Sequence, residues 1–154
     1  MTALLPRLLG LFFPACAAEG TDGLAAPALL DFAALVPPRP PGSALAAPPG
    51  MHLHPEIISR RRALPPRRLY DLLKRVALAQ PRIWLHADFA EHAQAHFVAR
   101  SATGNFPDLI AMQITPDSMP ALYARSLYGR SGLGANRQRL VAWLTALDRA
   151  LEHG

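Results

Sequence analysis

Between residues 82 and 128 the sequence breaks into four short extended segments, and this run constrains the fold more than any other feature. The segments at 82–87, 93–102, 109–115 and 121–128 are separated by a turn near Asp88, by Thr103-Gly104-Asn105 and by Pro116-Asp117-Ser118. Within 109–115, Ile110, Met112 and Ile114 alternate with Ala111 and Gln113, the two-residue period of a strand with one face buried. Connections this short join antiparallel neighbours, because a parallel crossover needs a dozen or more residues. Two amphipathic helices bracket the run. Pro65-Pro66 starts the first, Leu69, Leu72, Leu73 and Val76 form its apolar stripe, and Gln80-Pro81 ends it. The second, over 136–152, places Leu140, Trp143, Leu144, Leu147 and Leu151 on one face. A further strand is read across 51–64, centred on Ile57 and Ile58. The expected fold is a two-layer α+β domain, a mostly antiparallel sheet of about five strands with two helices on one face.

The amino-terminal third reads differently. Residues 1–50 hold nine of the sixteen prolines, and those at 37, 38, 40, 41, 48 and 49 exclude a helix and disfavour a central strand. Three regions follow: a possible signal or lipoprotein leader at 1–19, an Ala/Pro-rich linker or strap at 20–50, and a single basic α+β domain at 51–154. The leader has Arg7, an apolar stretch from Leu8 to Phe13, then small residues around Cys16, the order of a secretory signal. Cys16 closing such a segment marks a candidate lipidation site and points to an exported, periplasmic or membrane-anchored protein, with a cytoplasmic one as the alternative. It is the only cysteine, so no intramolecular disulfide and no cysteine-based zinc site can form.

Residues 51–154 carry fourteen Lys and Arg against eight Asp and Glu, a net charge of +6. A basic domain suits nucleic acid, an anionic membrane surface or an acidic small molecule. Only Lys74 among the sixteen cations is lysine, a bias that arginine-rich coding produces whatever the partner. The run Arg60, Arg61, Arg62, Arg67, Arg68, Lys74 and Arg75 contains only Tyr70 as an aromatic, which argues against stacking on single strands. On a lipid-anchored protein such a patch suits anionic headgroups, and otherwise it is a solvated arginine face.

The candidate site centres on 123–139, a strand leading through Gly129, Gly132 and Gly134 into a helix. Backbone amides at a helix start, flanked by Arg125, Arg130, Arg137 and Arg139, favour an anion. The glycine spacing is neither a Walker loop nor a dinucleotide fingerprint, so no nucleotide cofactor is expected. Arg100-Ser101 and Arg125-Ser126 repeat one another on segments that a meander makes parallel, which would set the two guanidiniums roughly 9–10 Å apart. The anion-binding set is therefore Arg100, Ser101, Arg125, Ser126, Arg130, Gly134, Asn136 and Arg137. Asp108, after Phe106-Pro107, is placed to pair structurally with Arg100 or Arg125.

These same residues carry a family resemblance over about 31–152. Two R-S pairs with F-P-D between them, followed by G-x-S and L-G-x-N-R-x-R, resemble the signature of the bacterial domain-of-unknown-function family 1499. Its members have no settled biochemical activity, so the resemblance implies a shared fold and signature without a reaction. Members usually carry an aspartate where this chain has Gly132, which implies a looser and more positive loop here.

Catalytic readings are thinner. Ser101, Ser126 and Ser131 coexist with histidines and Asp108, but no G-x-S-x-G elbow occurs. A serine/histidine hydrolase or transferase would require Ser126 or Ser131 beside a histidine in a cleft. His92 and His96 are too far apart on a strand to share an ion, whereas His86 can approach His96 across strands. No metal and no catalytic residue is assigned. A non-enzymatic, envelope-associated binding module is the leading reading, against the hydrolase and against a purely structural or protein-interaction domain. The last would bury Arg100 and Arg125 in pairs with Asp108 and leave no open pocket.

Overall fold

The computed structural model describes residues 4–35, 39–51, 54–128 and 134–154. Its elements in order are helix α1 (Leu4–Leu9), strands β1 (Ala44–Ala47) and β2 (Ile57–Ile58), helix α2 (Pro66–Leu78), strands β3 (Ile83–Phe89), β4 (Gln94–Arg100), β5 (Pro107–Ile114) and β6 (Pro120–Ser126), and helix α3 (Ala135–Glu152). The strands form one sheet in the order β2-β1-β6-β5-β4-β3, antiparallel except for the β1–β2 pair.

Alternation along the strands sorts side chains between two faces. On one face Ala95, Phe97, Ala99, Ile110, Met112, Ile114, Leu122 and Ala124 meet Leu69, Tyr70, Leu73 and Ala77 of α2 and Leu140, Trp143, Leu144 and Leu147 of α3. Phe97 and Trp143 meet edge to face, their centroids 5.4 Å apart. This is the expected α+β layer pair. The opposite face carries a smaller cluster of Leu45, Ala47, Ala111, Ala121 and Tyr123, closed by Phe32 with Leu30, Leu35 and Met51 packed around it.

The sheet has six strands rather than about five because it begins inside the region read as a linker or strap. Between Pro41 and Pro48 lies a proline-free stretch, and Ala44–Ala47 uses it to enter the sheet between β6 and β2, buried at all four positions. Its two faces serve the two clusters, Ala44 and Ala46 towards the helices and Leu45 and Ala47 towards the other side. The strand read across 51–64 shrinks to Ile57–Ile58. Beyond it Arg62 turns away, its Nε and Nη2 donating to both carboxylate oxygens of Asp148 on α3 at 3.0 and 3.3 Å.

Residues 24–30 cross the second face as extended chain without regular secondary structure. Leu24, Pro27 and Leu30 are the more buried positions, with exposed residues between them. That three-residue spacing is the period of a polyproline-type helix, which has no internal hydrogen bonds and must be fastened from outside. Gln94 fastens it. Its Oε1 accepts from the Leu30 amide at 2.8 Å and its Nε2 donates to the Leu30 carbonyl at 2.9 Å.

Candidate functional site

The predicted site residues separate into three places. The first is a buried polar knot where β5, β6 and α3 meet. Ser126 Oγ donates to Asp108 Oδ1 at 2.6 Å, and Arg139 Nη1 donates to Asp108 Oδ2 at 2.9 Å. Asn136, fully buried, donates to the Gly42 carbonyl at 3.0 Å and reaches Ser126 Oγ at 3.4 Å, while Arg139 also donates to its side-chain oxygen. The Asp108 partner is therefore Arg139, and neither Arg100 nor Arg125. Asp108 sits opposite Ser126 in the β5–β6 register and points to the helix face, whereas Arg100 and Arg125 are on the other face. Ser126 and Asn136 are accordingly removed from the anion-binding set: their polar groups are spent on the knot. Among the described residues, the side chains at Ser126 Oγ are Asp108 and Asn136 rather than a histidine.

The second place is the amino-terminal segment. Arg100, 3% exposed, donates from Nε to the Gly20 carbonyl at 2.9 Å and from Nη1 to the Ala15 and Asn105 carbonyls at 2.7 and 3.0 Å. Asn105 Nδ2 donates to the Cys16 and Ala18 carbonyls at 3.0 and 2.7 Å, and the Ala15 amide donates to Tyr128 Oη at 2.8 Å. Arg100 thus clasps backbone and does not close on a ligand with Arg125. Its register partner is Pro107 and that of Arg125 is Leu109, so the two arginines are two strands apart and also staggered by two residues. That places their Cα atoms roughly 12 Å apart rather than 9–10 Å. Ser101 belongs to the adjoining turn, its Oγ donating to the Thr103 carbonyl and accepting from the Phe106 amide. Positive φ at Gly104, 82°, makes this turn, and a Cβ there would meet the Phe106 ring at 2.7 Å. Cys16 is wholly buried, and burial pushes its thiol above the ordinary range against the pull of Arg100. Lipidation of Cys16 requires this segment to leave the clasp.

The third place is a cavity of about 330 Å³ between the second face of the sheet and the strap at 24–30. Leu24, Pro27 and Leu30 roof it, Leu109 and Ala111 floor it, and His86, His96, Tyr123 and Arg125 supply the polar side chains of its wall. In the register, Ala111 lies between His96 and Tyr123, so a small residue leaves the space that two large neighbours border. Arg125 stands two residues beyond Tyr123 on the same face. Among the described residues, neither the Arg125 guanidinium nor the Tyr123 hydroxyl has a hydrogen-bond or ion-pair partner, although Tyr123 is 7% exposed.

The imidazoles are held uncharged. Burial, then the neighbouring His86, brings His96 down to about 4, and burial also lowers His86. Because Gln94 accepts from the Leu30 amide with Oε1, its amide orientation is fixed. His96 Nε2, 2.7 Å from that oxygen, must then be the protonated nitrogen, and Nδ1 keeps its lone pair. Among the described residues the wall presents one cation, Arg125, no carboxylate, two neutral imidazoles and the Tyr123 hydroxyl.

Of the remaining predicted residues, Arg137 is exposed on α3, and Gly134 precedes that helix in a left-handed conformation without a side-chain cap. Arg130, Gly129, Ser131 and Gly132 lie outside the described residues. The basic run is dispersed: Arg60 and Arg62 share Asp148, Arg67 faces Asp71, and Lys74 pairs with Asp88. Among the described residues no group of three or more His, Cys, Asp or Glu converges as a metal site. Arg125 does not pair with Asp108, whose partner is Arg139, and it lines a cavity.

Comparison with known proteins adds no precedent: no family model matches the chain, and neither a curated protein nor a solved structure does. The cavity must be read from its own chemistry. Sequence reasoning named Arg125 and the approach of His86 to His96. It missed Tyr123, whose two-residue spacing from Arg125 was the available signal, and Gln94, whose role depends on a distant segment.

Proposed function

We propose that this protein is a non-enzymatic, envelope-associated binding module that takes an anionic small molecule at Arg125, and that it is a diverged member of the uncharacterised family it resembles. The observation that carries the reading is a guanidinium, without a partner among the described residues, in the wall of a largely apolar cavity. A cation in such surroundings has lost part of its hydration and gains most from an anionic partner, which a guanidinium can bind through two parallel hydrogen bonds. The cavity lies at the small end of the roughly 300–1,000 Å³ range of ligand pockets and combines apolar lining with a few polar groups. Family membership is supported by the signature residues Asp108, Ser126 and Asn136 meeting in one knot, which gives a physical reason for their occurrence together.

Envelope association is supported by the leader, where Leu4, Leu5, Leu8, Leu11 and Phe12 are all exposed. An apolar group of this kind suits a membrane surface or an export machinery. No helix among the described residues is long and apolar enough to cross a membrane. Mass spectrometry of the protein from its host tests this part: a mature chain beginning at or near Cys16 is expected, and an intact Met1 counts against export.

The binding reading is tested by thermal unfolding of wild type and Arg125→Ala in the presence of a panel of carboxylates and phosphate esters. At saturating ligand the wild type is expected to gain several degrees, and the variant to gain none, since a ligand at a hundred times its Kd stabilises by about 2.7 kcal/mol. If no anion raises the wild-type Tm, the reading is wrong.

A further inference from the structure

We infer that the ligand of the Arg125 cavity is a small monocarboxylate with an apolar body, its carboxylate on the Arg125 guanidinium and the Tyr123 hydroxyl and its body lying over Leu109 and Ala111 beneath the strap. This rests on Arg125 being the anion anchor and goes on to the chemical class of the anion.

Three observations select the class. The first is charge. Among the described residues that line the cavity, Arg125 is the one cationic side chain and none is an aspartate or glutamate. A monoanion neutralises that charge, whereas a phosphate monoester brings close to two negative charges above its second pKa of about 6. The surplus charge would sit in a partly desolvated site without a partner, which is costly. The uncharged state of His86 and His96 leaves nothing further to balance it.

The second is donor number. A carboxylate has two oxygens, and the fork of a guanidinium matches both. The unpartnered Tyr123 hydroxyl, on the same face two residues away, supplies one more donor. Together they give a carboxylate three hydrogen bonds for one negative charge, whereas a phosphate monoester receives the same three for close to two. The neighbouring arginine that could have completed a phosphate clamp, Arg100, is held away by the Ala15, Gly20 and Asn105 carbonyls on its Nε and Nη1, and its Nη2 is buried in that clasp without a partner among the described residues.

The third is the body. Leu24, Ala25, Pro27, Leu30, Leu109 and Ala111 line the rest of the cavity with hydrocarbon. At about 30 Å³ for each water displaced, a cavity of about 330 Å³ holds on the order of ten non-hydrogen atoms. That is the size of a medium-chain or aryl-alkyl acid.

Isothermal titration of the full-length protein at pH 8 with octanoate, octyl phosphate, octanol and inorganic phosphate tests the inference. Octanoate is expected to bind at least tenfold more tightly than octyl phosphate or octanol, and inorganic phosphate should give no heat. Arg125→Gln is expected to lose at least tenfold in octanoate affinity with an unchanged Tm, because among the described residues Arg125 bonds to no other side chain. Arg125→Lys, which keeps the charge and loses the fork, should fall between them. Octyl phosphate binding as tightly as octanoate, with both lost in Arg125→Gln, would overturn the carboxylate class and leave the anion site standing. Octanol matching octanoate, with Arg125→Gln indifferent, would overturn both. Failure of all four probes to bind would overturn the medium-chain carboxylate, and the wider anion panel would then decide on the site itself.

Discussion

Three arginines do three different jobs, and the difference is set by what each guanidinium can reach. Arg139 meets a carboxylate in a nearly closed knot, Arg100 meets backbone carbonyls, and Arg125 meets a cavity. Removing one member of a buried ion pair leaves the other uncompensated, which costs about 3–5 kcal/mol. Arg139→Leu is therefore expected to lower stability by about 3 kcal/mol, read from the urea midpoint. Without ligand, Arg125→Ala should stay within about 0.5 kcal/mol of wild type, because its removal leaves no buried partner unpaired among the described residues. His96 carries the pH dependence. Its proton is bound more readily in the unfolded chain, near 6.5, than in the folded one, at about 4. Unfolding therefore takes up a proton between those values, and the contribution of His96 to stability is complete above about pH 6.5 and lost as the pH falls towards 4. The groups that face it are His86, Gln94 and the Phe89 ring on its own side of the sheet, with Tyr123 and Arg125 across the cavity. Replacing His96 by Gln should flatten the urea midpoint across that window, and an unaltered slope would assign the titration elsewhere.

Among the elements, the meander and both long helices were legible, because two-residue alternation and the 3.6-residue stripe are local signals and Pro65-Pro66 and Gly134 punctuate them. Strand β1 was not. Four residues, three of them alanine, carry no alternation, and their burial on both faces depends on α3 and the strap arriving from elsewhere in the chain. The candidate site was half legible for the same reason. Arg125 and the two histidines announce themselves by residue type, whereas the roof is an extended segment with one proline, Pro27, fastened by one distant side chain, Gln94. That makes a prediction at this scale. Gln94→Ala removes both hydrogen bonds to Leu30 and should speed amide exchange at Leu30 at least tenfold, while the amides within β5 stay protected. If exchange at Leu30 is unchanged, the strap is held by its apolar contacts alone.

At the scale of the whole molecule, one sheet separates two environments. Its helix face holds the large apolar cluster and the Asp108 knot. Its other face holds a thin cover of extended chain with a cavity below it. A thin cover is the natural place for a ligand, since the sheet supplies rigid positions and the strap can be displaced without breaking the main core. The central claim, an anion bound at Arg125 beneath the strap, is tested most directly by where binding is felt. Two-dimensional amide NMR of the labelled full-length protein, titrated with octanoate, is predicted to shift the resonances of Ala111, Tyr123, Arg125 and the strap at 24–30, with Arg137 and the carboxy-terminal half of α3 unmoved. Shifts confined to exposed arginines such as Arg137, with Ala111 and Arg125 unmoved, would contradict it.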